Sequence, residues 1–134
     1  MWTPVVDGEV DSTHARALSK LVLIVEDEAD QRDSILDILV DEGYRAIGAS
    51  NGEKALTAIA EECPALVLVD LVMPEMDGRE LVRRTRAICK DPPPFVFTTG
   101  SQPSKTHDIS SEILMKPIDV DRLLKVVARH CGRP

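Results

Sequence analysis

The chain has 134 residues, enough for one domain with a hydrophobic core, and 43% of them are hydrophobic against 29% charged, as in globular proteins. Its formal net charge of −7 argues against nonspecific attraction to nucleic acid or to an anionic membrane, so we expect neither as a direct partner. The sequence contains no apolar run of the roughly 20 residues that span a membrane, and no signal-peptide pattern. We therefore expect a cytoplasmic protein.

The pattern of the sequence divides the chain into two parts. Residues 1–19 carry Pro, Gly and Ser with scattered charges and show no sustained periodicity. From Lys20 onward, apolar runs alternate with amphipathic stretches. We predict an N-terminal extension over residues 1–19 and one folded domain over residues 20–132.

The three cysteines, Cys63, Cys89 and Cys131, are widely spaced and odd in number. Their spacing matches neither a metal-binding pattern nor a disulfide framework. We predict that they are small buried or half-buried residues.

The first elements of the domain are a strand, a helix and a second strand. Residues 21–25 are all apolar and rich in β-branched side chains, which predicts a strand buried on both faces. Apolar residues at helical spacing predict a helix over residues 29–42, and Gly43 follows at the position of a C-terminal cap. Residues 44–49 predict a second, weaker strand.

The middle of the domain repeats this order. Asn51 can cap a helix that runs to about residue 62. Residues 65–69 form another buried apolar run that ends at Asp70. The Pro and Gly residues of the segment 73–78 indicate a loop.

The last part of the domain contains two helices and two strands. A helix is predicted from Gly78 to about residue 89, with an inward face. The inward residues are Leu81, Val82, Thr85 and Ile88. Residues 95–98 and 112–115 predict the fourth and fifth strands, and Asp119 caps a final helix that Gly132 closes.

Five strands with intervening helices give a (βα)₅ alternation, the pattern of a doubly wound parallel α/β sheet. In such sheets, ligands bind beyond the carboxyl ends of the strands, near the point where the strand order reverses. The residues that follow the strands are therefore the candidates for a site. They are Glu26 and Asp27 after the first strand, Asp70 after the third, Thr98 and Thr99 after the fourth, and Lys116 after the fifth.

This set of side chains is sufficient for capturing a phosphoryl group. Close carboxylates repel one another unless a cation lies among them, and hard oxygen ligands suit Mg²⁺. A carboxylate is also a competent nucleophile toward a phosphoryl group, giving an aspartyl phosphate. A metal, a lysine and a hydroxyl can together offset the charge on the transferred oxygens. Taken singly, each residue has an ordinary explanation, such as a helix cap for Asp27, but those explanations do not account for all the acids at one end of the sheet.

The acids at 26–27, the sequence DLVMPEMDG at 70–78 and the pair Lys116-Pro117 each follow or end a predicted strand, in this order. By these motifs, residues 20–132 resemble the receiver domain of response regulators in two-component signalling, which has a flavodoxin-like fold. The segment 70–78, DLVMPEMDG, is similar to the family's phosphoacceptor segment D-x-x-M-P-x-M-D-G. The acids at 26–27, the fourth strand with a hydroxyl at its end, and the lysine–proline pair at 116–117 match the family in the same order. The sequence FTTG at 97–100 also resembles the F-A-T-G sequence of a group of single-domain receivers.

The resemblance implies a role for each matching residue. The roles are phosphoacceptor for Asp70, Mg²⁺ ligands for Glu26, Asp27, Asp70 and the backbone carbonyl of Val72, switch hydroxyl for Thr99, and phosphate contact for Lys116. It also implies a phosphohistidine donor on a sensor histidine kinase or phosphotransfer protein, and a downstream protein partner whose binding is switched. We expect a monomer with at most slow self-catalysed phosphotransfer and dephosphorylation, rather than an enzyme.

Two features depart from the family pattern. Residues 101–111 are fewer than the family usually has there and are weakly patterned, which predicts a shortened or irregular fourth helix. Ile113 stands where the family often has an aromatic switch residue, so the usual rotation of a ring is not expected.

Three alternatives remain open from the sequence. A hydrolase that passes through an aspartyl phosphate usually has an acid two residues after its nucleophile, where this chain has Val72. A pseudo-receiver that binds partners without phosphate is disfavoured by the complete acid set and Lys116. The domain could also be a receiver excised from a hybrid histidine kinase, with residues 1–19 as a linker.

Overall fold

The computed structural model of the chain describes residues 20–71, 73, 76, 78–100 and 112–134. The predicted extension over residues 1–19, the predicted irregular helix within residues 101–111, and Val72 lie outside the described residues. Every helix within the described ranges is too short or too polar to be a candidate membrane span.

The described part of the chain forms five strands and four helices. They are β1 Leu21–Val25, α1 Ala29–Asp41, β2 Arg45–Ala49, α2 Gly52–Glu61, β3 Leu66–Asp70, α3 Gly78–Ile88, β4 Phe95–Thr99, β5 Glu112–Met115 and α4 Val120–Cys131. Each strand and helix predicted within these ranges is present, and its ends lie within about one residue of the predicted ends.

The five strands form one parallel sheet in the order β2-β1-β3-β4-β5. The chain moves from β1 to one side of the sheet for β2 and returns to the other side of β1 for β3. The strand order therefore reverses at β1 and β3, and a crevice opens beyond their carboxyl ends. This topology confirms the predicted doubly wound α/β fold.

Helices cover both faces of the sheet, which is why the central strands are apolar along their whole length. Helices α1 and α4 pack on one face, and α2 and α3 pack on the other. Every residue of β1, β3 and β4 is buried. A strand buried on both faces needs apolar side chains at successive positions, as the runs in the sequence indicated.

The predicted helix caps are also present. The Asn51 side chain accepts a hydrogen bond from the Lys54 backbone N–H at 2.8 Å and so satisfies one of the free donors at the start of α2. Gly43 follows α1 with a φ of 99°, a left-handed conformation that favours glycine, and its N–H donates to the Val40 carbonyl.

The prediction of no disulfide was wrong, because Cys63 and Cys89 form one with their Cα atoms 6.6 Å apart. Cys63 is also exposed, contrary to the prediction, whereas Cys89 is buried as predicted. Cys63 follows the end of α2, and Cys89 follows the end of α3. The two helices pack side by side on one face of the sheet, so their carboxyl ends meet although the cysteines are 26 residues apart. Cys131 is a free, buried thiol, as predicted.

The inward face of α3 was predicted correctly except at its last turn. Leu81, Val82 and Thr85 are buried, but the side chain of Ile88 is 51% exposed. Cys89, the next residue, is buried and is bonded to Cys63 after the end of α2.

Gly78, the first residue of α3, lies against the ring of Phe97 on β4. A Cβ at Gly78 would overlap that ring, with Phe97 Cδ1 only 2.9 Å away, and the ring is fully buried and has no room to move. We expect Gly78→Ala to lower the free energy of unfolding by about 1–3 kcal/mol, the usual cost of overpacking a core. Urea denaturation measures this change. Gly100→Ala is the control, because its Cβ would meet no described atom within 4 Å, and equal losses in both variants would contradict the packing argument.

Candidate functional site

Three carboxylates meet at the carboxyl edge of the sheet. Glu26 and Asp27 follow β1, and Asp70 ends the neighbouring strand β3. One carboxylate oxygen from each lies within 4.8 Å of those of the other two. Glu26 and Asp70 are buried, whereas Asp27 is exposed at the rim. The three acids come together because β1 and β3 are adjacent at the point where the strand order reverses.

Lys116 extends from the end of β5 into this group of acids. Its Nζ atom lies 3.1 Å from Glu26 Oε1 and 3.1 Å from Asp70 Oδ2. Its backbone N–H donates to the Thr99 carbonyl at 2.8 Å, which fixes the start of the side chain beside the end of β4. Lys116 thus pairs with two of the three carboxylates, and among the described residues the three acids outnumber the nearby cations Lys116 and Arg32.

Hydrogen bonds hold the turn after β1 at every polar group of Glu26. Its backbone N–H donates to the Ala49 carbonyl at 3.0 Å, and its carbonyl accepts from Arg32 Nη1 at 2.8 Å. Its carboxylate accepts from the Glu28 backbone N–H at 3.2 Å and from Lys116 at 3.1 Å. Asp27, the next residue, is presented by this fixed turn.

Burial raises the pKa of the Glu26 carboxyl above its ordinary value, and the nearby charge of Asp70 adds to the effect. The Glu28 N–H and the Lys116 ammonium lower it only in part. Burial alone would lower the pKa of Lys116, but hydrogen bonds to Glu26 and Asp70 outweigh burial and raise it. Lys116 therefore stays charged at neutral pH.

The raised pKa of Glu26 predicts a pH dependence of stability. A carboxyl whose pKa is higher in the folded state contributes stability that is fully present below its ordinary pKa and is lost as pH rises through the folded value. In a metal chelator, we expect the free energy of unfolding of the wild type to fall relative to Glu26→Gln as pH increases over that range. Urea titrations from about pH 4 to pH 8 test this, and parallel curves for the two proteins would contradict it.

Both threonines predicted near the site lie at the buried end of β4. Thr98 pairs in register with Asp70, and its carbonyl accepts from the Leu71 N–H at 2.9 Å. Thr99, which is 2% exposed, pairs with Met115 and accepts the backbone N–H of Lys116. Thr99 and Asp70 therefore end neighbouring strands at the same edge of the sheet. Val72 lies outside the described residues.

The two methionines of the segment after Asp70 pack in the core. Met73 and Met76 are both buried in the core between the sheet and the α2–α3 layer. Met76 packs directly against Gly52 at the start of α2. The Gly78 N–H donates to the Leu71 carbonyl at 3.2 Å, which closes the loop onto β3. These contacts hold Leu71, Met73, Met76 and Gly78 against β3 and the α2–α3 layer.

Arg32 is a residue of the site that the sequence did not identify. Its partner is the backbone carbonyl of Glu26, and a backbone partner leaves no trace in a motif. The available signal was a cation near the N-terminal end of α1, where the helix dipole disfavours positive charge.

Comparisons with known proteins identify the family and agree with this fold. The family model of the response regulator receiver domain matches residues 22–128. The receiver protein CpdR of Brucella abortus is 33% identical over 115 residues, which cover 82% of this chain and 95% of that protein. The chemotaxis protein CheY of Bacillus subtilis is 32% identical over 111 residues, covering 79% of this chain and 92% of that protein.

A solved structure of a chemotaxis protein has a similar fold. The chemotaxis protein CheY4 of Vibrio cholerae superposes with a TM-score of 0.75 at 26% identity, and the match covers 83% of this chain and 98% of that one. The family match, the similar relatives and the fold together confirm the resemblance that the sequence indicated. The chain belongs to the response regulator receiver domain family of two-component signalling.

Proposed function

We propose that Asp70 accepts a phosphoryl group from a phosphohistidine on a sensor histidine kinase or a phosphotransfer protein. The observation that carries the proposal is the setting of the Asp70 carboxylate. Its Oδ2 atom lies 3.1 Å from the Lys116 ammonium, and the carboxylates of Glu26 and Asp27 are within 4.8 Å. A nucleophile, a cation and a set of hard oxygen ligands thus stand together at the end of β3.

The proposed transfer forms one bond to phosphorus and breaks another. A carboxylate oxygen of Asp70 forms a bond to the phosphorus atom, and the bond between phosphorus and the histidine nitrogen of the donor breaks. The electron pair of that bond stays with the imidazole, which takes a proton from solvent. Water later attacks the acyl phosphate, restores the Asp70 carboxylate and releases inorganic phosphate.

The residues of the site fit a magnesium ion. Glu26, Asp27 and Asp70 offer carboxylate oxygens, the ligand type that Mg²⁺ prefers, and their excess negative charge favours a cation. The backbone carbonyl of Val72 is the further ligand that we propose from the family resemblance. Bound Mg²⁺ would neutralise charge on the phosphoryl oxygens during transfer.

Lys116 and Thr99 would stabilise the phosphoryl group after transfer. The ammonium of Lys116 already lies within hydrogen-bond distance of Asp70, so it can pair with a phosphoryl oxygen bonded to that residue. The hydroxyl of Thr99 would donate to another phosphoryl oxygen. Since the Lys116 backbone N–H donates to the Thr99 carbonyl, the two contacts would be coupled through one hydrogen bond between the ends of β4 and β5.

A groove beside the site offers a surface for the donor protein. It has a volume of about 560 Å³ and lies between α1 and the loop that follows β5. Its lining is mainly apolar, with Ile35 and Ile38 on one side and Ile118 on the other, and it includes Lys116. Because Lys116 also contacts Asp70, a donor seated in this groove would be next to the acceptor.

Receiver domains are signalling domains rather than conventional enzymes, and they act with kinases or phosphotransfer proteins and with downstream effectors. For this chain we propose only slow self-catalysed phosphotransfer and dephosphorylation, with phosphorylation switching a downstream protein partner. The domain bounds of 20–132, the cytoplasmic location and the monomeric state also remain proposals. An adaptor that works without phosphorylation would not need the three acids or Lys116. All four residues are present and lie together, so this alternative is not favoured.

Intact-mass spectrometry of the wild type tests the proposed function. After incubation with acetyl phosphate and Mg²⁺, we expect one added phosphoryl group per chain, and no addition in a metal chelator. Hydroxylamine should remove the group, because it cleaves acyl phosphates. A label that forms equally in chelator, or that resists hydroxylamine, would contradict an Mg²⁺-dependent aspartyl phosphate.

A further inference from the structure

We propose that Arg32 is a positioning residue that orients Asp27 for Mg²⁺ binding. It acts through a hydrogen bond to the backbone of Glu26, and its side chain packs over Gly48. This inference rests on the proposed function, because it concerns the metal site of the same phosphoacceptor. It assigns a role to a side chain that bonds to a backbone carbonyl rather than to a carboxylate of the site.

The contact that carries the inference is a hydrogen bond from Arg32 Nη1 to the Glu26 carbonyl, at 2.8 Å. That carbonyl belongs to the peptide unit that joins Glu26 to Asp27. The donor side of Glu26 is already fixed, because its N–H donates to Ala49 on β2. The Arg32 bond therefore fixes the plane of the following peptide, and with it the direction in which the chain presents the Asp27 side chain.

The position of Arg32 itself depends on a glycine in β2. A Cβ at Gly48 would lie 3.0 Å from Arg32 Cδ, 3.1 Å from Arg32 Cγ and 3.0 Å from Leu36 Cδ1, so the aliphatic part of the arginine lies beside Leu36 across the bare backbone of the strand. Gly48 thus leaves the space that the arginine occupies on its way from α1 to the end of β1. Two residues far apart in the sequence cooperate in one contact.

Asp27 needs this support more than the other acids do. Glu26 and Asp70 are buried and bonded to Lys116, whereas the side chain of Asp27 is exposed. An exposed side chain on a loose turn would have to be ordered when the metal binds, which costs conformational entropy. Groups behind metal ligands that orient them typically change metal affinity by 10–100-fold when removed.

Positioning and plain electrostatics predict opposite signs for removing Arg32. Arg32 carries a positive charge near a site for a cation, so deleting that charge by itself should tighten Mg²⁺ binding. Loss of a positioning contact should weaken it. The direction of the change in affinity therefore separates the two effects, and a general loss of stability is separated by measuring affinity well below the melting temperature of each variant.

The experiment is a calorimetric titration of Mg²⁺ into the wild type, Arg32→Met, Arg32→Lys and Gly48→Ala. We expect Arg32→Met to raise the dissociation constant by about tenfold, since it keeps the aliphatic part and loses the donor. Arg32→Lys should recover part of the affinity, because an ammonium can still donate to the carbonyl. Gly48→Ala, which keeps Arg32 and displaces it, should give a smaller loss. Arg86→Met, which removes an exposed arginine from α3, should stay within about twofold of the wild type.

Each outcome decides one question. Unchanged or tighter binding by Arg32→Met, with normal binding by the wild type, would overturn the inference and leave the proposed function intact. If Arg32→Met does not fold, unchanged or tighter binding by Gly48→Ala would overturn the inference, because that variant crowds the Arg32 side chain and keeps its charge. Failure of the wild type to bind Mg²⁺ would instead contradict the proposed function itself, and the inference with it.

Discussion

Replacing Asp70 with asparagine is expected to abolish phosphorylation by acetyl phosphate in the presence of Mg²⁺. An amide oxygen is a far weaker nucleophile than a carboxylate oxygen, and an amide phosphorylated on oxygen would not be a stable product. Asparagine has nearly the same size and shape as aspartate, so the buried end of β3 should keep its packing. Lys116 would still have Glu26 as a partner at 3.1 Å, so the ammonium would not be left alone in the site.

Intact-mass spectrometry with equal donor concentrations measures this loss. Asp91→Asn is the matched control, because it makes the same change of charge at an exposed position outside the site and should be labelled like the wild type. Labelling of Asp70→Asn at the level of Asp91→Asn would show that another residue accepts the phosphoryl group. Partial labelling that resists hydroxylamine would have the same meaning, since it would not be an acyl phosphate.

The fold was predictable because the sheet is parallel and covered by helices on both faces. Such strands must be apolar at successive positions, and the runs at β1, β3 and β4 are short, continuous and bounded by turn residues. The weaker run at β2 was also identified, although this strand lies at the side of the sheet and only its last residue, Ala49, is buried. Burial on both faces of the sheet requires apolar residues, so the hydrophobic pattern of the sequence predicts these strands well.

The acids of the site were predictable for the same reason, since a strand that ends in a carboxylate marks the edge where ligands bind. The sequence located Glu26, Asp27 and Asp70 at that edge, and the structure brings their oxygens within 4.8 Å. The pairing of Lys116 with both Glu26 and Asp70 was not foreseen, because the motif assigns the lysine only to the phosphate. Distances among side chains from different strands depend on the register of the sheet, which the motif does not contain.

Contacts made by the backbone, and contacts between the ends of two helices, could not be predicted from the sequence. The disulfide between Cys63 and Cys89 depends on the side-by-side packing of α2 and α3, which no spacing of cysteines reveals. Arg32 and Gly48 were missed because one acts on a carbonyl and the other acts by lacking a side chain. The disulfide and the Arg32–Gly48 arrangement each depend on how distant parts of the chain pack, and nothing in the sequence marks the residues that form them.

Replacing Asp27 with alanine is expected to weaken Mg²⁺ binding by at least about tenfold, or about 1.4 kcal/mol. Mg²⁺ is held by few protein carboxylates and requires good geometry, so the loss of one ligand has a large effect. Asp27 is exposed, and removing its side chain opens no cavity in the core. A change in affinity can therefore be assigned to the metal site rather than to a damaged fold.

Two further variants identify the origin of that change when Mg²⁺ is titrated by calorimetry. Asp33→Ala removes an exposed carboxylate from α1 and should alter the affinity by less than about twofold, because water and salt screen a charge that is not a ligand. Thr99→Ala should leave Mg²⁺ affinity unchanged, since we propose that its hydroxyl contacts phosphate and not metal. Equal losses in Asp27→Ala and Asp33→Ala would mean that diffuse negative charge attracts the ion, and the assignment of Asp27 as a ligand would be wrong. A loss in Thr99→Ala as large as that in Asp27→Ala would place the threonine at the metal and reverse the two roles.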